Sequence, residues 1–188
     1  MFRVAASMFL ALALAPASSP RAEDAEHPLY ASWAKSPAGT VVVVREVTEG
    51  REPGGPRLVV TKRRVLRSID DRRAVVEETV ETETPEGTSR TGPRESVIRR
   101  TFPLPPGVDR SRLGRPQQFE ARGEERVEAA GRTFRAEWFD TKGQTEAGPS
   151  RIRAWYADDV PGLLVKSVTR VPDAGKTTTA TVVAIEAP

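Results

Sequence analysis

Cysteine is absent from all 188 residues. That excludes disulfides, thiolate metal sites and a cysteine nucleophile, so stability must come from the core itself. Asparagine is absent too, and a single histidine, His27, stands in a polar lead. One unanchored imidazole does not make a Ser–His–Asp relay, and no histidine-plus-carboxylate cluster has zinc spacing. No metal or cofactor is expected. Charge of one sign is also missing. Lys and Arg total 29 against 26 Asp and Glu, and acidic runs such as "VEETVETETPE" interleave with the arginines. Arginine supplies 24 of the 29 basic residues, as the codon bias of a GC-rich genome would produce. A nucleic-acid footprint is one-signed, so no nucleic-acid partner is expected.

What is present begins with a leader. Arg3 precedes an apolar run from Val4 to Ala15, and small residues follow, the three-part pattern of a secretory signal peptide. The run is too short to cross a bilayer, which takes about 20 residues. Small residues at Ala15 and Ala17 place cleavage after 17, with Ala22 as a later alternative. No cysteine follows to carry a lipid anchor. The expectation is an exported chain, periplasmic or extracellular, with no membrane span in its mature form. Its organisation reads as signal peptide 1–17, polar lead and short helix 18–39, and a single antiparallel β domain 40–188.

Within "HPLYASWAKSPAGT", Pro28 suits a first helical position, Leu29, Tyr30 and Trp33 recur at helical spacing, and Gly39 closes the segment. Beyond it, short Val-, Thr- and Arg-rich runs alternate in character, which is strand chemistry. Strands are expected at 40–48, 58–69, 74–84, 95–102, 126–130, 132–140, 151–157, 163–171 and 177–185. Turn residues separate them at meander spacing, so the sheet should be mainly antiparallel. Pro103 to Pro116 is the least regular segment and reads as a Pro-rich mobile loop, and "TKGQTEAGPS" reads as a polar loop. The fold class expected is mainly β: a curved antiparallel sheet or half-open barrel of eight or nine strands with a short N-terminal helix.

Motifs associated with chemistry do not assemble. "SWAK", Ser32 to Lys35, has the serine-x-x-lysine spacing of penicillin-binding enzymes, yet lacks the companion triplets of that class. "GKT" at 175–177 resembles the end of a P-loop, but Arg170 stands where the loop needs glycine. The paired carboxylates Glu77/Glu78 and Glu124/Glu125 fall on strands, where neighbours point to opposite faces. Asp70/Asp71 and Asp158/Asp159 fall at turns, where aspartate bonds its own backbone. The chain reads as a non-enzyme.

The stretch "IRAWYADDVPGLLVKSV", Ile152 to Val168, joins an aromatic strand to an aspartate-containing turn, a proline, a leucine and a strand with a basic residue. It resembles bacterial envelope proteins of the lipoprotein-carrier type (LolA/LolB-like). The hairpin "VEAAGRTFRAEWF" before it also resembles secreted β-rich bacterial proteins without an assigned role. The likeness covers the C-terminal third. It implies a curved half-barrel holding acyl chains on a concave apolar face, although here little helix is available for a lid. Trp138, Trp155, Tyr156, Leu163 and Val165 are the ligand-binding candidates, with ordinary core the first reading of each. The functional expectation is an exported envelope protein binding an apolar or lipidic ligand. The alternative is a structural or protein-interaction module with an envelope protein partner.

Overall fold

The computed structural model describes residues 24–52, 55 and 57–188; the leader and both cleavage alternatives lie outside the described residues. The chain enters through a short strand, β1 (Asp24–Glu26), and one six-residue helix, α1 (Pro28–Trp33). His27 caps the helix, its Nδ1 accepting from the Leu29 N–H at 3.2 Å, and Pro28 occupies the first turn, where a missing N–H is harmless.

Four strands follow as a meander: β2 (Val41–Glu49), β3 (Arg57–Ile69), β4 (Arg73–Thr84) and β5 (Gly87–Arg99). After β6 (Thr101–Pro103), which pairs back with β1, a 3-10 turn at Arg110–Arg112 leads to a second meander. It comprises β7 (Ala121–Ala129), β8 (Arg132–Thr145), β9 (Gly148–Tyr156), β10 (Leu164–Val171) and β11 (Lys176–Glu186). The meanders join where β2 pairs antiparallel with β11. The result is one nine-stranded antiparallel sheet ordered β5-β4-β3-β2-β11-β10-β9-β8-β7.

The edges, β5 and β7, do not pair with each other, so the sheet is curved rather than a closed barrel. Its curvature is visible in one bond. The Ala130 N–H, at the β7–β8 turn, donates to the Val182 carbonyl of β11 at 3.1 Å. Three strands intervene in the ladder, and in a flat sheet that separation would be about 19 Å.

Curling lets the two halves share a core. Val42 and Val44, Leu66, Ala74 and Val76 from the first meander join Val127, Phe134, Ala136, Val165 and Val182 from the second. Tyr30 and Trp33 of α1 complete the cluster, and α1 packs against β4 and β5. Val65 and Leu66, adjacent in sequence, are both buried: Leu66 belongs to this cluster, whereas Val65 lies outside it, paired with the buried Val41.

Besides β7, which starts at Ala121 rather than Arg126, two segments depart from expectation. "TKGQTEAGPS" is not a loop: its ends extend β8 and β9, Thr145 pairs with Gly148, and the turn is confined to Glu146 and Ala147. β5 starts eight residues before the expected strand, at Gly87 rather than Glu95. Both segments are polar and carry no apolar alternation, so only their pairing with neighbours makes them strands.

Parts of the Pro-rich segment carry local structure. Pro103 belongs to β6, and Asp109 caps the 3-10 turn through the Ser111 N–H at 2.9 Å. Gln117 Nε2 donates to the Arg112 carbonyl at 3.1 Å.

Candidate functional site

Cross-strand register places three rows of side chains on one face of the sheet. Trp138, Trp155 and Lys166 stand opposite one another on β8, β9 and β10. Asp140, Arg153 and Val168 form the next row, and Lys142, Arg151 and Arg170 the third. A groove of about 350 Å³ opens among them, lined by Trp155, Val168, Arg151, Arg153, Arg170 and Asp140, with Glu120 at its margin. Its volume is at the lower end of that of small-molecule sites.

The aromatic end is held firmly. Trp155 Nε1 donates to Glu125 Oε1 of β7, which satisfies the one polar atom of a buried indole. The Trp138 ring lies over Gly123, where a Cβ would come within 2.8 Å of ring atoms. Arg153 stacks on Trp138 with its guanidinium carbon 4.3 Å from the ring centroid. Lys166 Nζ lies 5.3 Å from the Trp155 ring. Indole faces attract cations through their quadrupole.

Arg153 also grips Asp140 with two bonds of 2.7 Å. This fork, with the more distant charge of Arg170, holds the Asp140 carboxyl below its ordinary range. Lys142 pairs with Glu120. Both carboxylates at the groove are therefore engaged by a cation, which leaves Asp140 ill-suited to serve as a base.

The five candidate residues separate. Trp155 reaches the groove, and Trp138 packs beside it against the core. Tyr156 points to the opposite face, edge-on to Phe139 at 6.0 Å with Arg115 over its ring; burial pushes its phenol pKa up. Val165 is a fully buried core residue. Leu163 is buried in the β9–β10 turn rather than starting a strand, with φ of 69°. The bonds from Leu163 N to the Val160 carbonyl (2.8 Å) and from Ala157 N to the Leu163 carbonyl (2.9 Å) hold it in that left-handed conformation.

The motif residues have structural work. Ser32 is buried; its Oγ donates to the Leu29 carbonyl at 2.8 Å and accepts from the Gly162 N–H at 3.0 Å. Lys35 Nζ donates to the Asp158 carbonyl at 2.8 Å. Ser32 and Lys35 thus clamp the β9–β10 turn onto the helix rather than activating one another. His27 is half-buried against Phe102, its ring 5.3 Å away, and not a free leader residue. Among the described residues no group of three or more His, Cys, Asp or Glu could hold a metal ion.

Sequence reasoning did not find Arg151, Arg153, Arg170 or Asp140. Each sits on a strand whose alternation was legible, but their convergence depends on the register of β8, β9 and β10.

The chain matches no family profile and no curated protein. Among solved structures it resembles a candidate lipoprotein from Parabacteroides distasonis, with 11% identity over 80% of this chain and 96% of that one, at a TM-score of 0.43. A candidate exported protein with YmcC-like fold from Bacteroides fragilis gives 10% identity, 80% and 97% coverage, and a TM-score of 0.44. A LolA superfamily protein from Nitrosomonas europaea gives 9% identity, 85% and 90% coverage, and a TM-score of 0.26. The chain thus has a weak structural resemblance, at low sequence identity, to β-rich bacterial proteins of these kinds.

Proposed function

We propose that this chain is an exported, non-enzymatic envelope protein that binds the apolar part of a lipidic or amphipathic ligand in the groove on β8–β10. The observation that carries this reading is an open groove lined by half-buried Val168 beside the largely buried Trp155 indole. The leader pattern of residues 1–17 supports export. Trp155 and Trp138 remain the ligand-facing aromatics of the proposal, whereas Val165 and Leu163 serve the core. The middle of the interior between the sheet halves is filled by side chains such as Trp33, Phe134 and Leu66, so the ligand would lie in the groove beside that core, on the same face of the sheet.

The test is native mass spectrometry of the exported protein, with organic extraction and titration with a hydrophobic fluorescent dye. A co-purified amphiphile, and dye binding abolished by Val168→Glu in a folded variant, are expected. Absence of both an extracted amphiphile and dye binding would reject the reading.

A structural or interaction module is favoured by a separate observation. β5 is a 13-residue edge strand exposed along nearly its whole length, with Val97 56% exposed, and unpaired edges invite strand addition. Pull-down of a defined partner that is lost on shortening the β4–β5 hairpin would support that role.

A further inference from the structure

We propose that Arg151 and Arg170 form a recognition site for a phosphate group at the polar end of this groove. The inference rests on the ligand-binding reading above and names the chemistry of the ligand's head.

Lys142, Arg151 and Arg170 occupy directly opposed positions on three neighbouring strands. Opposed strand residues lie about 5 Å apart at Cα, and like charges placed there repel one another. A folded sheet tolerates such a row when counter-ions neutralise it. Lys142 has Glu120 and the adjacent Arg153 has Asp140. Arg151 and Arg170 form no ion pair or side-chain hydrogen bond among the described residues. Arg170 feels the charge of Asp140 at longer range only.

With its two carboxylates already paired, the groove retains two uncompensated guanidinium groups facing each other across the β9–β10 ladder. Each presents a planar fork of N–H donors suited to two oxygens of one anion. A tetrahedral phosphate offers an oxygen pair to each fork, so one group can bridge both arginines. Val168 and Trp155 lie next along the same face and would support an apolar extension. Phosphate chemistry is shared by a phospholipid head and by free phosphate, and the experiment separates the two.

Exported protein is titrated with inorganic phosphate by calorimetry. In parallel it is co-sedimented with phosphatidylcholine vesicles, with and without phosphatidylglycerol. Arg151→Gln and Arg170→Gln are compared with Arg90→Gln, an exposed arginine on β5 at the other end of the sheet. Circular dichroism verifies that each variant is folded. The expected result is binding in at least one arm that falls about tenfold in each groove variant, as loss of one charge-assisted partner implies, and is unchanged in Arg90→Gln. Binding of inorganic phosphate alone would identify free phosphate as the ligand; binding confined to phosphatidylglycerol vesicles would identify a lipid head. Equal loss in Arg90→Gln would show diffuse charge attraction and overturn the site, as would binding indifferent to Arg151 and Arg170 or no binding in either arm. Dye binding or uptake of neutral vesicles that survives in the Arg151→Gln/Arg170→Gln double variant, with no phosphate dependence, would overturn the phosphate site and leave the amphiphile reading standing.

Discussion

Arg115 donates from Nη2 to the Asp158 carboxylate at 2.7 Å, joining the Pro-rich segment to the β9–β10 turn. Its Nε donates to Glu137 Oε2 of β8 at 2.9 Å, and its guanidinium lies over the Tyr156 ring. The Arg115 side chain is only 9% exposed, while Asp158 is 74% exposed. Burial of the cation thus depends on two carboxylates at the rim. Asp158 belongs to a turn, and its carboxylate works as an anchor for a segment distant in sequence.

Replacing Arg115 by Ala should lower stability by about 2 kcal/mol, the scale of charge-assisted bonds together with the lost packing of its stem. The two carboxylates left behind can hydrate, which limits the loss. Urea denaturation checks the magnitude. Proteolysis should reach residues 104–118 first in the variant; an unchanged cleavage pattern would show that Arg115 does not anchor them.

Ser32→Ala removes the acceptor of the Gly162 N–H and should destabilise by about 1–3 kcal/mol, the range for a buried donor left without a partner. Lys35→Met leaves the Asp158 carbonyl open to water and should cost less. If Lys35→Met proved the more harmful substitution by thermal melting, the clamp would depend on the lysine instead.

His27 carries a pH dependence of definite sign. Burial holds its pKa below the ordinary 6.5, and only neutral Nδ1 can accept from Leu29 N–H. As pH falls, the unfolded chain takes up the proton first. The contribution of His27 is therefore full above about pH 6.5 and declines as pH falls from there towards the folded-state value. His27→Asn retains a capping acceptor without titrating. Urea midpoints should fall more between about pH 7.5 and 5.5 in the parent than in this variant; equal slopes would remove His27 as the cause.

Gly123→Ala should displace the Trp138 ring, because the added Cβ would come within 2.8 Å of it. A cost of about 1–3 kcal/mol is expected for such overpacking, with a shift in tryptophan emission. A high-resolution structure of the variant with Trp138 unmoved would contradict the prediction.

The strands around the core were legible because one of their faces is apolar. Val42 and Val44, Val76, and Phe134 with Ala136 show period-two burial directly in the residue pattern. The first half of β5 was not legible. Thr88 to Arg94 is exposed on both faces, and its strand geometry comes from pairing with β4. β1 was equally hidden, since three residues hold no periodicity and its partner β6 lies some 75 positions away.

The candidate site divides along the same line. Trp155 and Trp138 could be named from the sequence as large aromatics on adjacent strands. That Trp155 meets the groove while Tyr156 turns to the other face follows from the alternation of β9, but which face opens to solvent depends on how the whole sheet curls. A bulge between Leu164 and Lys166 sends Val165 into the core and Lys166 over Trp155, a local irregularity that no propensity encodes.

Residue pattern by itself determined the β character, the meander order, the N-terminal helical turn and the lack of cysteine chemistry, because these depend on local preference and composition. Tertiary structure alone decided that β2 joins β11, that the Pro-rich segment is anchored at Arg115, and that Lys142, Arg151 and Arg170 stand in one row. Those outcomes depend on register between strands distant along the chain, where the energy of a pairing is shared by both partners and written in neither.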